Sequence, residues 1–185
     1  MIYLKKQQKN VKENRMQKYT GDEIKDLLFI GMTDDRMIEM IDCLGLEQPM
    51  MDEQYQEEQE ILILDKKNTG LSFGFEEIKN YTKNGEPCLV DIGFYNDKLI
   101  SFPYDIVASD NYQNVKEKIG RKANFKDDEI FPEMRIWIME NPKGLKYCVN
   151  VFFKDEENLN GIETVVVQQY KPNLHNTDNY TVCEE

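Results

Sequence analysis

The hydrophobic pattern of this chain changes period along its length, and the changes predict its elements. Ile24, Leu27 and Leu28 recur at helical spacing behind Thr20-Gly-Asp-Glu23, where Thr20 can cap a helix and Glu23 can reach back to it. That helix is expected to run to about Ile30. A second helix is expected from Thr33, with Asp34 and Asp35 in its first turn, where the helix dipole favours acids. Met37, Ile38, Met40, Ile41 and Leu44 form its apolar stripe, and Gly45 closes it. The period then shortens. Ile61 to Leu64 reads as a strand, and Leu71, Phe73 and Phe75 alternate as a half-buried strand does. Cys88 to Phe94 reads as another strand. Asn96-Asp97 marks a turn, and Leu99 to Phe102 continues the sheet. A third helix is expected at Ser109-Asp110, with Tyr112, Val115 and Ile119 inward and Gly120 at its end. Met134 to Met139, Leu145 to Phe153 and Ile162 to Tyr170 then predict three strands, with Gly144 and Gly161 at the turns.

The order helix, strands, helix, strands repeats. Thr33-Asp34 and Leu44-Gly45 match Ser109-Asp110 and Ile119-Gly120, and Gly70-Leu71-Ser-Phe73 matches Gly144-Leu145-Lys-Tyr147. These offsets are 76, 75 and 74 residues. A fourth match, Tyr95-Asn-Asp97 with Phe153-Lys-Asp155, lies at 58, which implies an extra loop near residues 76–87 in the first half. The expected fold class is therefore α+β. Two helix-plus-three-strand units would form a curved antiparallel sheet with helices on one face. The expected division is a basic, mobile arm over residues 1–18, units over 19–107 and 108–170, and a polar tail over 171–185, all in one compact domain.

Charge narrows the function. The 185 residues carry 23 basic and 35 acidic side chains, a net of -12. Residues 1–18 oppose Lys5, Lys6, Lys9, Lys12, Arg15 and Lys18 to Glu13 alone, so the rest is more acidic still. Such a surface repels phosphate backbones and suits a basic protein partner, so direct nucleic-acid binding is not expected. No apolar run approaches the roughly 20 residues of a membrane helix. The N-terminal residues show no signal-peptide pattern, so a cytoplasmic location without membrane contact is expected.

Catalytic chemistry is poorly supplied. His175 stands alone in a polar stretch, where a nucleophile's base has no rigid support. Cys43, Cys88, Cys148 and Cys183 are too widely spaced for a zinc or redox motif and are read as free thiols. Gly70 to Gly74 is not a phosphate-binding loop. Asp127-Asp128-Glu129 and Asp155-Glu156-Glu157 lack the alternating ligands and glycine of a calcium loop. No enzyme activity, cofactor or metal is expected.

The stretch Gly31-Met32-Thr33, Ile38, Ile41, Leu44-Gly45, followed by strands, resembles the helix-plus-three-strand unit of the BamE-like and β-lactamase-inhibitor-like folds. With Gly70-Leu71-Ser-Phe73-Gly-Phe75, it also resembles bacterial immunity proteins of polymorphic-toxin, contact-dependent and type VI secretion systems. The likeness covers roughly residues 31–170. It implies a non-catalytic protein that binds and neutralises a cognate toxin domain, such as a basic nuclease. The absence of a lipoprotein cysteine sets aside an outer-membrane assembly role. A structural or phage-derived adaptor is the alternative reading. The expected contact residues are acids and aromatics: Glu53, Glu57, Glu58, Tyr95, Asp97, Tyr104, Asp105, Asp127, Asp128, Glu129, Trp137, Asp155, Glu156 and Glu157.

Overall fold

The computed structural model describes residues 19–46, 50–51, 62–64, 70–76, 86–95, 100–172 and 180–183. The basic arm, the acidic segment around residues 52–60 and the turn at Asn96-Asp97 lie outside them.

Helix α1 (Gly21–Lys25) begins with the expected reciprocal cap, Thr20 bonding the Glu23 amide and Glu23 bonding the Thr20 amide. It is shorter than its apolar pattern implied. At Phe29 the backbone turns to φ 68, and the Phe29 N–H donates to the Leu89 carbonyl at 2.7 Å. A sheet hydrogen bond thus replaces the next helical one, while Leu27 to Ile30 stay buried. Helix α2 (Asp35–Leu44) is capped by Asp34 and ends at Gly45 with φ 62. Met37, Met40, Ile41 and Leu44 point inward as expected, but Ile38 does not and is 46% exposed. Helix α3 (Tyr112–Ile119) starts later than expected. Its cap is Asn111, paired reciprocally with Asn114. The buried Asp110 instead accepts from the Val107 amide at 2.8 Å and the Lys118 ammonium at 2.6 Å.

The strands are β1 (Met50–Met51), β2 (Leu62–Leu64), β3 (Leu71–Glu76), β4 (Cys88–Phe94), β5 (Phe125–Asp127), β6 (Met134–Glu140), β7 (Lys146–Phe153), β8 (Ile162–Gln169) and β9 (Tyr180–Val182). They form one sheet in the order β1-β2-β3-β4-β8-β7-β6-β5-β9, and every registered pair is antiparallel. The class is α+β. Two expectations fail at the ends of strands. Ile100 to Phe102 do not continue the sheet; they lead into a 3-10 helix (Pro103–Asp105), although Phe102 is buried. Residues 180–182 of the expected polar tail form β9 on β5, and Cys183 after them is buried.

Period two along the strands assigns the faces. Phe73, Phe94, Trp137, Val149, Val151, Phe153, Val165 and Val167 meet the helices in the main core. A smaller cluster lies on the alternate face, where Met134, Ile136 and Cys148 are buried. The Cys148 thiol is pushed up to about 12 by burial, so it behaves as a small apolar group. All four cysteines are free thiols.

Candidate functional site

The face of the sheet opposite the helices carries a continuous register row. Val182, Phe125, Ile136, Asn150, Val166, Gly93 and Ser72 stand opposite one another from β9 to β3. The row is apolar toward β9 and polar toward β3. Near its middle, Asn150 is 5% exposed and its Oδ1 finds no hydrogen-bond partner among the described residues. In the next row inward Asp91 faces Gly74 on one side and Gln168 on the other. Burial pushes its carboxyl up to about 6, helped by the Glu76 carboxylate and opposed by Lys171. Lys171 holds Glu76 through both carboxylate oxygens, at 2.7 and 2.8 Å.

Tyr95, at the end of β4, lies across Gly93. A methyl group at Gly93 would come within 2.6 Å of the Tyr95 hydroxyl and 2.5 Å of Ser72 Oγ, so only glycine leaves room for the ring. The Tyr95 and Ser72 hydroxyls are 3.2 Å apart, and Tyr95 remains 39% exposed. The register places the end of β4, the start of β6 and the β7–β8 turn at one end of the sheet. The β5–β6 loop reaches the same end. It exposes Ile130 (61%) and Phe131 (46%), and the Phe131 ring meets Phe152 edge to face at 5.7 Å.

Carboxylates rim this end. Asp128 and Glu129 are exposed in the β5–β6 loop, and Glu156 and Glu157 in the β7–β8 turn. Asp155 is turned toward its own loop. It accepts from the amides of Glu157 and Asn158 and from the Asn158 side chain, which holds its carboxyl below the usual range. Asp128 is likewise held low, first by Lys126 and then by Thr181.

Four expected contact residues take other positions. Asp127 is buried and caps its loop through the amides of Glu129 and Ile130, each at 2.9 Å. Trp137 is fully buried in the main core, with its indole N–H bonded to the Arg121 carbonyl at 2.9 Å. It therefore has no surface to offer a partner. Tyr104 is half-buried on the helix side. Its hydroxyl is 2.6 Å from that of Tyr147, and the Lys25 ammonium lies 5.0 Å over its ring. Burial, then the Tyr147 bond, raises its phenol far above the ordinary value. Asp105 is exposed beside it in the 3-10 helix, away from Tyr95. Glu53, Glu57, Glu58 and Asp97 lie outside the described residues.

Of the expected set, then, Tyr95, Asp128, Glu129, Glu156 and Glu157 gather at one end of the sheet. Ile130, Phe131 and Phe152 belong with them and were missed. Their signal was present: two large apolar residues interrupt the acidic loop Asp127-Asp-Glu-Ile-Phe-Pro-Glu133, where a solvated turn needs neither. No protein-family model, curated protein or solved structure matches this chain.

Proposed function

We propose that the chain is an immunity-type inhibitor that binds and neutralises a cognate basic toxin domain in the cytoplasm, without catalytic turnover. The observation that carries this reading is the exposed Ile130–Phe131 pair, with the Phe131 ring against Phe152, at an end of the sheet that also exposes Tyr95 and is rimmed by carboxylates from two loops. An aromatic centre within a polar rim is the usual anatomy of a protein interface. The apolar centre supplies binding energy. The carboxylates select a basic partner and speed the encounter, and the net charge of -12 extends that field. Against a nuclease, rim carboxylates would stand where substrate phosphates bind.

The same reading takes the architecture as one helix-plus-three-strand unit used twice. The units are α2 with β2 to β4 and α3 with β6 to β8, joined edge to edge through β4 and β8 into a curved sheet. Two parallels support it. Each helix closes on a glycine of positive φ, Gly45 at 62 and Gly120 at 82. A second such glycine precedes the middle strand of each meander, Gly70 at 71 and Gly144 at 77. The match at offset 58 is not part of this correspondence, because it compares β4, a third strand, with β7, a second one.

The test is calorimetry of the purified chain against the protein encoded directly upstream, at two salt concentrations. Nanomolar binding that weakens with salt is expected. Phe131→Ala should cost about 2 kcal/mol or more of it, as a buried interface anchor does. Glu129→Lys should slow association and flatten the salt dependence. Co-expression should rescue growth. Absence of binding, or binding indifferent to both substitutions, would overturn the proposal.

A further inference from the structure

On the helix-bearing face, at the β9 edge, three strands place polar side chains side by side. Arg135 of β6 stands opposite Lys126 of β5, and Lys126 stands opposite Thr181 of β9. All three line a cleft of about 460 Å³, completed by Tyr112, Leu159, Val182 and Cys183. Like charges directly opposite on one face of a strand pair repel, so this arrangement costs stability. Asp128 pairs with Lys126, which leaves Arg135 as the cleft's cation that no ion pair holds among the described residues.

The protein shows what such a row accepts. At the rim, the Asp128 carboxylate places one oxygen 2.7 Å from Lys126 Nζ, and its other oxygen accepts from the Thr181 hydroxyl. Arg135 is held differently. Its Nη1 donates to the carbonyls of Pro132 at 2.7 Å and Met134 at 2.8 Å, and no ion pair holds it among the described residues. Those two bonds fix the plane of a guanidinium whose fork suits a carboxylate. The remaining wall is apolar and well supported. The Tyr112 ring packs 6.0 Å from Trp137 and 6.4 Å from Phe153, centroid to centroid. Leu159 is held at φ 48, with its carbonyl accepting the Tyr112 N–H at 3.0 Å.

We propose that this cleft binds a small organic carboxylate on a ring-bearing apolar body. The oxyanion lies on Arg135 and Lys126, and the ring lies against Tyr112 and Leu159. The volume is in the range of small-molecule sites, and the division into one charged end and one apolar wall is their common pattern. The cleft is on the opposite face of the sheet from Phe152 and shares Asp128 with the proposed interface; neither test alters that residue, so the two readings are tested separately.

The experiment is a titration of the full ¹⁵N-labelled chain with benzoate and, separately, inorganic phosphate, at matched ionic strength. Benzoate should move the amide signals of Leu159, Thr181 and Cys183 saturably. Arg135→Gln should weaken it about tenfold, the loss of one charge-assisted contact. Lys126→Gln is the second variant, should Arg135→Gln lose its dispersed spectrum, and should also weaken it. Absence of saturable shifts, or unchanged affinity in the folded variants, overturns the site. Phosphate binding as tightly as benzoate overturns the apolar half of the assignment.

Discussion

Asp91 is the residue whose chemistry is most at odds with its place. It stands in β4 between Gly74 and Gln168, with the Glu76 carboxylate nearby, and its carboxyl is raised to about 6. An acid whose folded value lies above its unfolded one, near 3.9, favours folding in its protonated form. Its stabilising contribution is therefore fully present below about pH 4 and is lost as pH rises through 6. Lys171 limits the loss by offsetting Glu76. Asp91→Asn keeps the shape and removes the titration. The variant should gain on the native chain by about 2–3 kcal/mol between pH 4 and pH 8, read from urea unfolding at both values. A difference between the two chains that does not change with pH would show that Asp91 ionises as freely in the fold as outside it. The residue scale also explains why neighbouring acids differ so much. Asp127 and Asp128 are adjacent in a strand end, so their side chains leave on opposite faces. One is buried as a loop cap and the other reaches Lys126 in solvent.

At the scale of elements, helix ends were legible because their signals are local. Thr20 with Glu23, Asp34 before α2, and the glycines after α2 and α3 each specify a cap through residues within four positions. The strands with one apolar stripe were legible for the same reason, and β4 matches its expected bounds. What failed depended on distant partners. Phe125 to Asp127 and Tyr180 to Val182 have no period of their own; each becomes a strand by pairing with the other and, for β5, with β6. Phe29 leaves its helix because Leu89 offers a carbonyl. Trp137 differs from its expected surface role because β6 is apolar on both faces, with Ile136 and Ile138 on one and Trp137 and Met139 on the other. Alternation cannot then say which face meets the core. The start of α3 differs from its expected place because Ser109-Asp110 resembles a cap, whereas Asp110 serves a tertiary contact. It joins the Val107 amide to Lys118, which also donates to the Asp105 carbonyl at 2.7 Å. This ties α3 to the 3-10 helix. Asp110→Asn should destabilise the chain by about 2–3 kcal/mol, because it leaves Lys118 without its charge partner in a half-buried site. Thermal unfolding measures this, and a loss below about 0.5 kcal/mol would show the pair to behave as an exposed one.

The described strands form a single sheet whose two meanders pair through β4 and β8, in four registered pairs from Asp91–Gln168 to Phe94–Val165. A narrow seam between halves could allow each to unfold alone. The core argues otherwise. Phe73 and Phe94 of the first meander belong to the same buried cluster as Trp137, Val149 and Val165 of the second, and helices from both halves close it. Removing one half would leave the other with a large apolar face in water, at about 25 cal/mol for each Å² exposed. The halves should therefore unfold together, and the chain's single tryptophan makes this measurable. Trp137 fluorescence reports the second meander, and far-UV circular dichroism reports all elements. Their urea midpoints should coincide. Phe94→Ala, a core truncation in the first meander, should cost about 3–5 kcal/mol. It should shift the Trp137 transition as far as the dichroism transition, although the substitution and the probe lie in different meanders. If the seam were the weak point, the dichroism curve of this variant would split in two while the Trp137 transition stayed in place.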